Sequence, residues 1–299
     1  MESILITGGS GFLGGALIVR AISKHWKVFA TYHKHPPQFD DVNWLPLDLS
    51  DFSSIQQIFQ YSNPDVVIHT AALTHVDWCE AHQCETKLVN VLGTEILAKL
   101  CQEHNTRLIY VSTDLVFDGE KGNYSEEDKT NPVSYYGWSK LEGEKLVQIN
   151  CENHVIARSA LMYGRPALRG TSFSEWLRTT WAMGKITPLF YDQYRTPIEV
   201  NNLADALLEL ASNSFVGTIH LGGSQKIDRV TFGNILARIL GVSADLICKV
   251  SMKEASNVAL RPQDVSLNIS KAQTLLRTQF LNCEEGLQKA YETRPSAPG

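Results

Sequence analysis

Ser3-Ile4-Leu5-Ile6-Thr7-Gly8-Gly9-Ser10-Gly11-Phe12-Leu13-Gly14 is the stretch whose reading decides the fold. Ser3 to Thr7 is a short apolar run of the kind that makes a strand buried on both faces. Gly8, Gly11 and Gly14 then fall at G-x-x-G-x-x-G spacing, and an amphipathic pattern from about Phe12 to Lys24 follows at once. A glycine turn between a strand and a helix allows a tight bend, lets backbone approach a pyrophosphate, and packs helix closely on strand. The helix start supplies free N–H groups and a partial positive charge for the phosphates. Gly8, Ser10, Gly11, Phe12, Leu13 and Gly14 are therefore the expected phosphate-end contacts of a dinucleotide.

The pattern repeats outward from there. Val28 to Tyr32, Val66 to Thr70, Leu108 to Ser112 and Val155 to Ser159 read as further strands. Ser53 to Tyr61, Cys84 to His104 and Ser134 to Asn150 read as helices between them. Apolar strands alternating with helices predict an α/β fold, a Rossmann-type doubly wound parallel sheet with right-handed crossovers. The second half is less regular. Ser172 to Met183, Asn201 to Ala211 (capped by an Asn) and a stretch near Thr231 to Leu240 read as helices, and Val216 to Leu221 as a strand. The division this suggests is a cofactor domain of residues 1–165 with about 196–221, and a smaller substrate lobe of about 166–195 and 222–299. The last residues, Arg294 to Gly299, read as a frayed tail.

Composition narrows the function classes. Twenty-seven Lys and Arg against 32 Asp and Glu give a formal net charge of -5, which disfavours a broad nucleic-acid footprint. The N-terminus shows no secretory leader, and no apolar run reaches membrane-spanning length, so a cytoplasmic chain without membrane partners is expected. Six scattered cysteines without C-x-x-C spacing read as free thiols. His33 and His35 have no neighbouring carboxylate or thiol, so no metal site is expected.

The tip of the second strand bears on cofactor choice. NAD sites usually place an acid there for the ribose 2′-hydroxyl, and NADP sites a cation. Here the chain reads Thr31-Tyr32-His33-Lys34-His35, with no acid, so NADPH is favoured over NADH and His33 and Lys34 join the cofactor contacts. Asp48 and Leu49 are expected near the adenine, and Ala71, Ala72 and Leu73 where the cofactor presses on backbone.

At the reacting end, Ser112-Thr113-Asp114 closes the fourth predicted strand, and Tyr136-Gly137-Trp138-Ser139-Lys140 opens a helix. Tyr136 and Lys140 are four apart and share a helical face. The expected scheme is hydride transfer to a carbonyl carbon while Tyr136 protonates its oxygen and Thr113 hydrogen-bonds it. Lys140 is expected to pull the Tyr136 phenol down toward the working range and to reach the nicotinamide ribose.

These residues carry a family resemblance. Ala71-Ala72-Leu73-Thr74-His75-Val76-Asp77, Ser112 to Gly119, Tyr136 to Glu144, Arg158 to Gly164, Asp192 to Pro197, and Arg261-Pro262 with Ser266 and Leu267 are its marks. On them the chain resembles the extended short-chain dehydrogenases/reductases, and among these the dTDP-4-dehydrorhamnose reductase family. The resemblance implies that Thr113, Tyr136 and Lys140 are catalytic, with Val76, Asp77, Thr113, Asp114 and Arg261 on a nucleotide-sugar substrate. It leaves room for a homodimer. Leu115 stands where the family usually has Tyr, and Leu161 where it usually has Trp, which implies a less polar, less aromatic substrate pocket. The alternatives are a non-catalytic regulatory subunit similar to the beta subunit of methionine adenosyltransferase, or a nucleotide-sugar epimerase. Dehydratase chemistry is disfavoured because Asp114 has no second acid beside it.

Overall fold

The structure, a computed structural model, describes residues 2–254 and 259–292; the predicted tail lies outside them. In chain order the first half comprises β1 (Ser3–Thr7), α1 (Phe12–Ser23), β2 (Lys27–Tyr32), β3 (Asn43–Pro46), α2 (Phe52–Ser62), β4 (Val66–His69), α3 (Val76–Ala81), α4 (Gln83–Lys87), a π-helical turn (Leu88–Leu92), α5 (Gly93–Glu103), β5 (Arg107–Thr113), α6 (Tyr135–Asn150) and β6 (His154–Ser159). The second half follows with β7 (Met162–Tyr163), α7 (Phe173–Ala182), β8 (Thr187–Phe190), β9 (Tyr194–Arg195), β10 (Ile198–Glu199), α8 (Val200–Ala211), β11 (Gly217–Leu221), β12 (Ile227–Asp228), α9 (Arg229–Leu240), β13 (Ile247–Val250), α10 (Ser270–Leu275) and α11 (Cys283–Tyr291).

Seven strands form one parallel sheet in the order β11-β6-β5-β4-β1-β2-β3. Alternation along each strand divides its apolar side chains between two faces. Ile4 and Ile6 enter one core with Leu13 and Leu17 of α1 and Leu203 and Leu207 of α8. Leu5 enters the other with Ile55 and Phe59 of α2, Leu97 and Cys101 of α5, and Val147 of α6. The predicted doubly wound sheet is thus present, with helices on both faces. Among the described residues no helix is long and apolar enough to cross a membrane.

A third cluster, built on Leu177, Trp181, Leu189, Phe232, Leu236 and Leu287, forms the core of a smaller lobe. Its strand pairs are short: β13 lies parallel to β8, and β12 antiparallel to β9. Val265, Leu267, Ile269, Ala272, Leu276 and Phe280 pack instead into the sheet's core. The sequence division gave all of 222–299 to the lobe, but this returning segment belongs with the sheet.

Three local readings need correcting. The helix expected from Cys84 to His104 is interrupted by the π turn at Leu88–Leu92, whose extra residue per turn aims Asn90 inward. Strand β3 has little apolar alternation and sits at the sheet edge, so no sequence period announced it. Helix α8 is capped by Glu199, whose carboxylate accepts from the Asn202 N–H at 2.9 Å, and not by an Asn.

Candidate active site

Because all sheet strands run the same way, their carboxyl ends and the loops that follow share one rim, where open α/β sheets bind ligands. A cavity of about 970 Å³ lies along that rim, and it reaches from the turn after β1 to the lobe.

The turn after β1 is made of backbone. Gly8 has φ +69°, a left-handed conformation, and a Cβ there would lie 2.9 Å from the Ala71 backbone. Its N–H donates to Thr31 Oγ1 at 3.0 Å, and the Gly11 N–H donates back to the Gly8 carbonyl at 2.9 Å. At Gly14 a Cβ would overlap the Gly8 carbonyl oxygen, so helix and turn touch backbone to backbone. Gly11 caps α1 without a side-chain hydrogen bond, and the first turn of the helix has no acidic residue. The opening N–H groups of α1 are therefore left to a ligand, and Gly8, Ser10, Gly11, Phe12, Leu13 and Gly14 all line the cavity. Under the turn, Thr7 Oγ1 meets His69 Nδ1 at 2.7 Å and Thr94 Oγ1 meets His69 Nε2 at 3.0 Å. Burial, reinforced by Lys140, pushes His69 down to about 3, so the ring is neutral.

At the next strand ends, His33, Asp48 and Leu49 line the cavity, as do Ala71, Ala72 and Leu73. Lys34 is exposed and does not. Asp48 is held by Ser50, whose N–H and hydroxyl donate to it at 2.9 and 2.6 Å and keep its carboxyl below the usual range. Its other oxygen lies 3.9 Å from His33 Nε2.

At the opposite end, β5 delivers Thr113 and α6 delivers Tyr136 and Lys140, all three buried and all three lining the cavity. Ser134 starts α6 by accepting from the Gly137 N–H at 3.2 Å, which sets Tyr136, Lys140 and Glu144 on one face. Glu144 accepts from Ser112 Oγ at 2.5 Å and from Arg158 at 2.8 and 3.0 Å, a buried pair one turn along α6 from Lys140. The Lys140 ammonium sits 4.1 Å from the Tyr110 ring centroid.

The electrostatics differ from the expectation. Burial first, and then the neighbouring Asp114 carboxylate, push the Tyr136 phenol well above its ordinary range, against a hydrogen bond with Thr113. Lys140 is not what sets that shift. Burial pulls Lys140 itself down to about 7, with Glu144 opposing. Desolvation is the largest influence on both groups, so the phenol keeps its proton at neutral pH.

Four segments form the far wall. Asp114, raised by burial, has Arg195 Nε at 3.7 Å. Arg195 spends its remaining donors on the carbonyls of Tyr194, Gln263 and Pro262 at 2.6, 3.3 and 3.2 Å. Arg229 donates from Nε to Gln193 Oε1 at 2.9 Å and lies 4.7 Å from the Phe173 ring centroid. Arg261 donates to Asp77 Oδ2 at 2.9 Å and to the Ala259 carbonyl at 3.1 Å. Val76, Asp114 and Arg261 line the cavity; Asp77 stands behind Arg261 and does not. Leu115 and Leu161 line it too.

Sequence reading assigned no role to Gln193, Arg195, Arg229 or Asn90. Gln193 and Arg195 sat inside a quoted family mark, but nothing local marked Arg229. Asn90 pins the backbone of Leu73, accepting its N–H at 2.8 Å and donating to its carbonyl at 3.0 Å, and it donates to Ser139 Oγ at 3.0 Å.

Comparison with known proteins places this geometry among relatives. Residues 1–294 match the family described as the RmlD substrate binding domain. The probable low-salt glycan biosynthesis reductase Agl14 of Haloferax volcanii is 33% identical over 276 residues, covering 90% of each chain. Methionine adenosyltransferase 2 subunit beta of Bos taurus is 29% identical, covering 91% of this chain and 82% of its own. A crystal structure of dTDP-4-dehydrorhamnose reductase from Bacillus anthracis in complex with NADP superposes with a TM-score of 0.87 at 25% identity, covering 98% and 99% of the two chains.

Proposed function

The chain belongs to the RmlD substrate binding domain family, an NAD(P)-dependent oxidoreductase family, and from that premise we propose that it reduces a keto group on a nucleotide-diphosphate sugar with NADPH. The observation that carries the reading is one continuous cavity with the glycine turn at one end and Thr113, Tyr136 and Lys140 at the other. The residues fit the cofactor: Gly8 and Gly14 let the backbone close into a tight turn that any side chain there would break, and the α1 N–H groups are uncapped. Residues 1–165 with about 196–221 hold it, and the lobe closes over the sugar. The absence of an acid at the end of β2, with His33 on the cavity, favours NADPH over NADH.

NADPH supplies the hydride when bound. Tyr136 holds a proton at neutral pH because its surroundings disfavour the phenolate, and it gives that proton to the carbonyl oxygen. The Thr113 hydroxyl orients the same oxygen. Lys140, close to neutrality in its own titration, resupplies the phenol, and the Glu144–Arg158 pair keeps α6 in register on β5 and β6. Arg261 forks onto the diphosphate, with Asp77 holding its far side.

The test is consumption of NADPH, and of NADH in parallel, with 4-keto nucleotide-sugars of several bases. Turnover with NADPH preferred is the expected outcome. In calorimetry Arg261→Ala should weaken nucleotide-sugar binding by about 1.5–3 kcal/mol, the scale of a charge-assisted contact, and leave NADPH affinity unchanged. The 29% identity to a methionine adenosyltransferase beta subunit supports one rival, a regulatory subunit. It takes over if no nucleotide-sugar binds while a protein partner co-purifies stoichiometrically.

A further inference from the structure

Arg229 is the one wall arginine whose position leaves work undone. It opens α9, but the cap residue Asp228 directs its carboxylate to the Thr231 N–H and hydroxyl, at 2.9 and 2.5 Å, and not to Arg229. Its Nε is bound to Gln193 and its plane lies against Phe173. Its Nη1 is shut off from solvent and has no hydrogen-bond partner. The charges around it do not balance. Arg195 repels it, and the Asp114 carboxylate that offsets this is shared with Arg195, on which Asp264 acts as well. Burial and Arg195 together pull the Arg229 guanidinium down to about 9. A cation with an idle donor and only a shared carboxylate, in a cavity that Phe173, Phe190, Leu161 and Met162 also line, is costly unless a ligand supplies further charge.

We infer that Arg229, with Gln193 beside it, receives a carboxylate carried by the sugar ring of the substrate, so that the chain prefers an acidic nucleotide-sugar. This rests on the nucleotide-sugar reading above and sharpens it. The position argues for the sugar over the diphosphate. Arg229 is electrically coupled to Asp114, the residue after Thr113 and the carboxylate that acts on Tyr136, so its charge serves the reacting end. Arg261, by contrast, is held on the Asp77 side by a separate loop. A planar guanidinium edge also matches the two oxygens of a carboxylate.

UDP-glucuronate and UDP-glucose share base and diphosphate and differ at a carboxylate, so their binding to the NADP-loaded protein can be compared by calorimetry. UDP-glucuronate should bind at least tenfold more tightly, the lower end of the ~10–100-fold expected for one charge-assisted contact. Arg229→Met should erase that difference, and Arg229→Lys should restore part of it, with NADP affinity and melting temperature as checks on folding. Equal binding by wild type, or an advantage that survives Arg229→Met, overturns the carboxylate assignment and leaves the nucleotide-sugar reading standing. If Arg229→Met weakens UDP alone as much as UDP-glucuronate, the group it serves is the diphosphate and the assignment also fails. If neither sugar nor UDP nor dTDP-glucose binds, the nucleotide-sugar reading itself fails and the inference with it.

Discussion

The turn after β1 and the arginine wall opposite it both offer positive charge to the cavity, by opposite means. The turn uses main-chain N–H groups and a helix start, with no charged side chain and backbone packed against backbone at Gly14. The wall uses guanidinium groups from β9, α9 and the 259–264 loop, each steadied by a carbonyl, an amide or a carboxylate. Dipoles fixed in a backbone cost little to desolvate and cannot be moved. Charged side chains act over a longer range but must be anchored, and an anchor can be lost without unfolding the sheet. The first construction suits a ligand part that never changes, the second a part that varies.

Acid gives the largest expected effect and tests whether both ends rest on neutral histidines. His69 lies beneath the turn, and His220 of β11 pairs in register with Arg158 on the reacting side. Burial pushes each from 6.5 down to about 3. Below pH 6.5 the unfolded chain takes up protons that the fold refuses, so the stability is full above pH 6.5 and is lost progressively toward pH 3. Between pH 6.5 and 5 the loss should be ~1.6 kcal/mol for each histidine. Urea midpoints unchanged across that interval would count against neutral buried rings at both ends.

Gly14→Ala strikes the turn alone. The new methyl meets the Gly8 carbonyl and the Gly9 Cα, which are backbone and cannot swing away. A cost of about 3 kcal/mol is expected, the upper end for overpacking, seen as a fall in cofactor affinity or melting temperature. Cofactor binding like that of wild type would show the turn to be softer than its geometry. Tyr136→Phe strikes only the reacting end. Turnover should fall by roughly two decades, about 2.7 kcal/mol, with cofactor binding retained. A variant that keeps its rate would remove Tyr136 from the proton's path.

What the sequence disclosed divides along the same line. The turn was legible because its parts are neighbours: a buried strand, three spaced glycines and a helix start. Tyr136 and Lys140 were legible for the same reason, four residues apart on one helix. The wall was legible only at Arg261, and only through the family resemblance. Gln193, Arg195 and Arg229 come together only when α7 to α9 fold back over the rim, and no local period encodes that closure. The electrostatics were misread where burial dominates, since the sequence showed an ammonium four residues from a phenol but not how dry the site is. The π turn went unseen because one extra residue in a helix leaves the apolar spacing almost intact.

The wall's construction from separate segments has an evolutionary consequence. Arg229 can be exchanged without disturbing the Asp77–Arg261 pair, and Arg261 without disturbing the Arg229–Gln193 bond. If both arginines read the substrate as proposed, each step of divergence can alter one recognition element while the others hold, so new specificities are reachable through intermediates that still bind. The glycine turn offers no such route, because Gly14 cannot acquire even a methyl group without displacing main chain. Lineages built on this scaffold should keep a dinucleotide at the turn and scatter in their sugars.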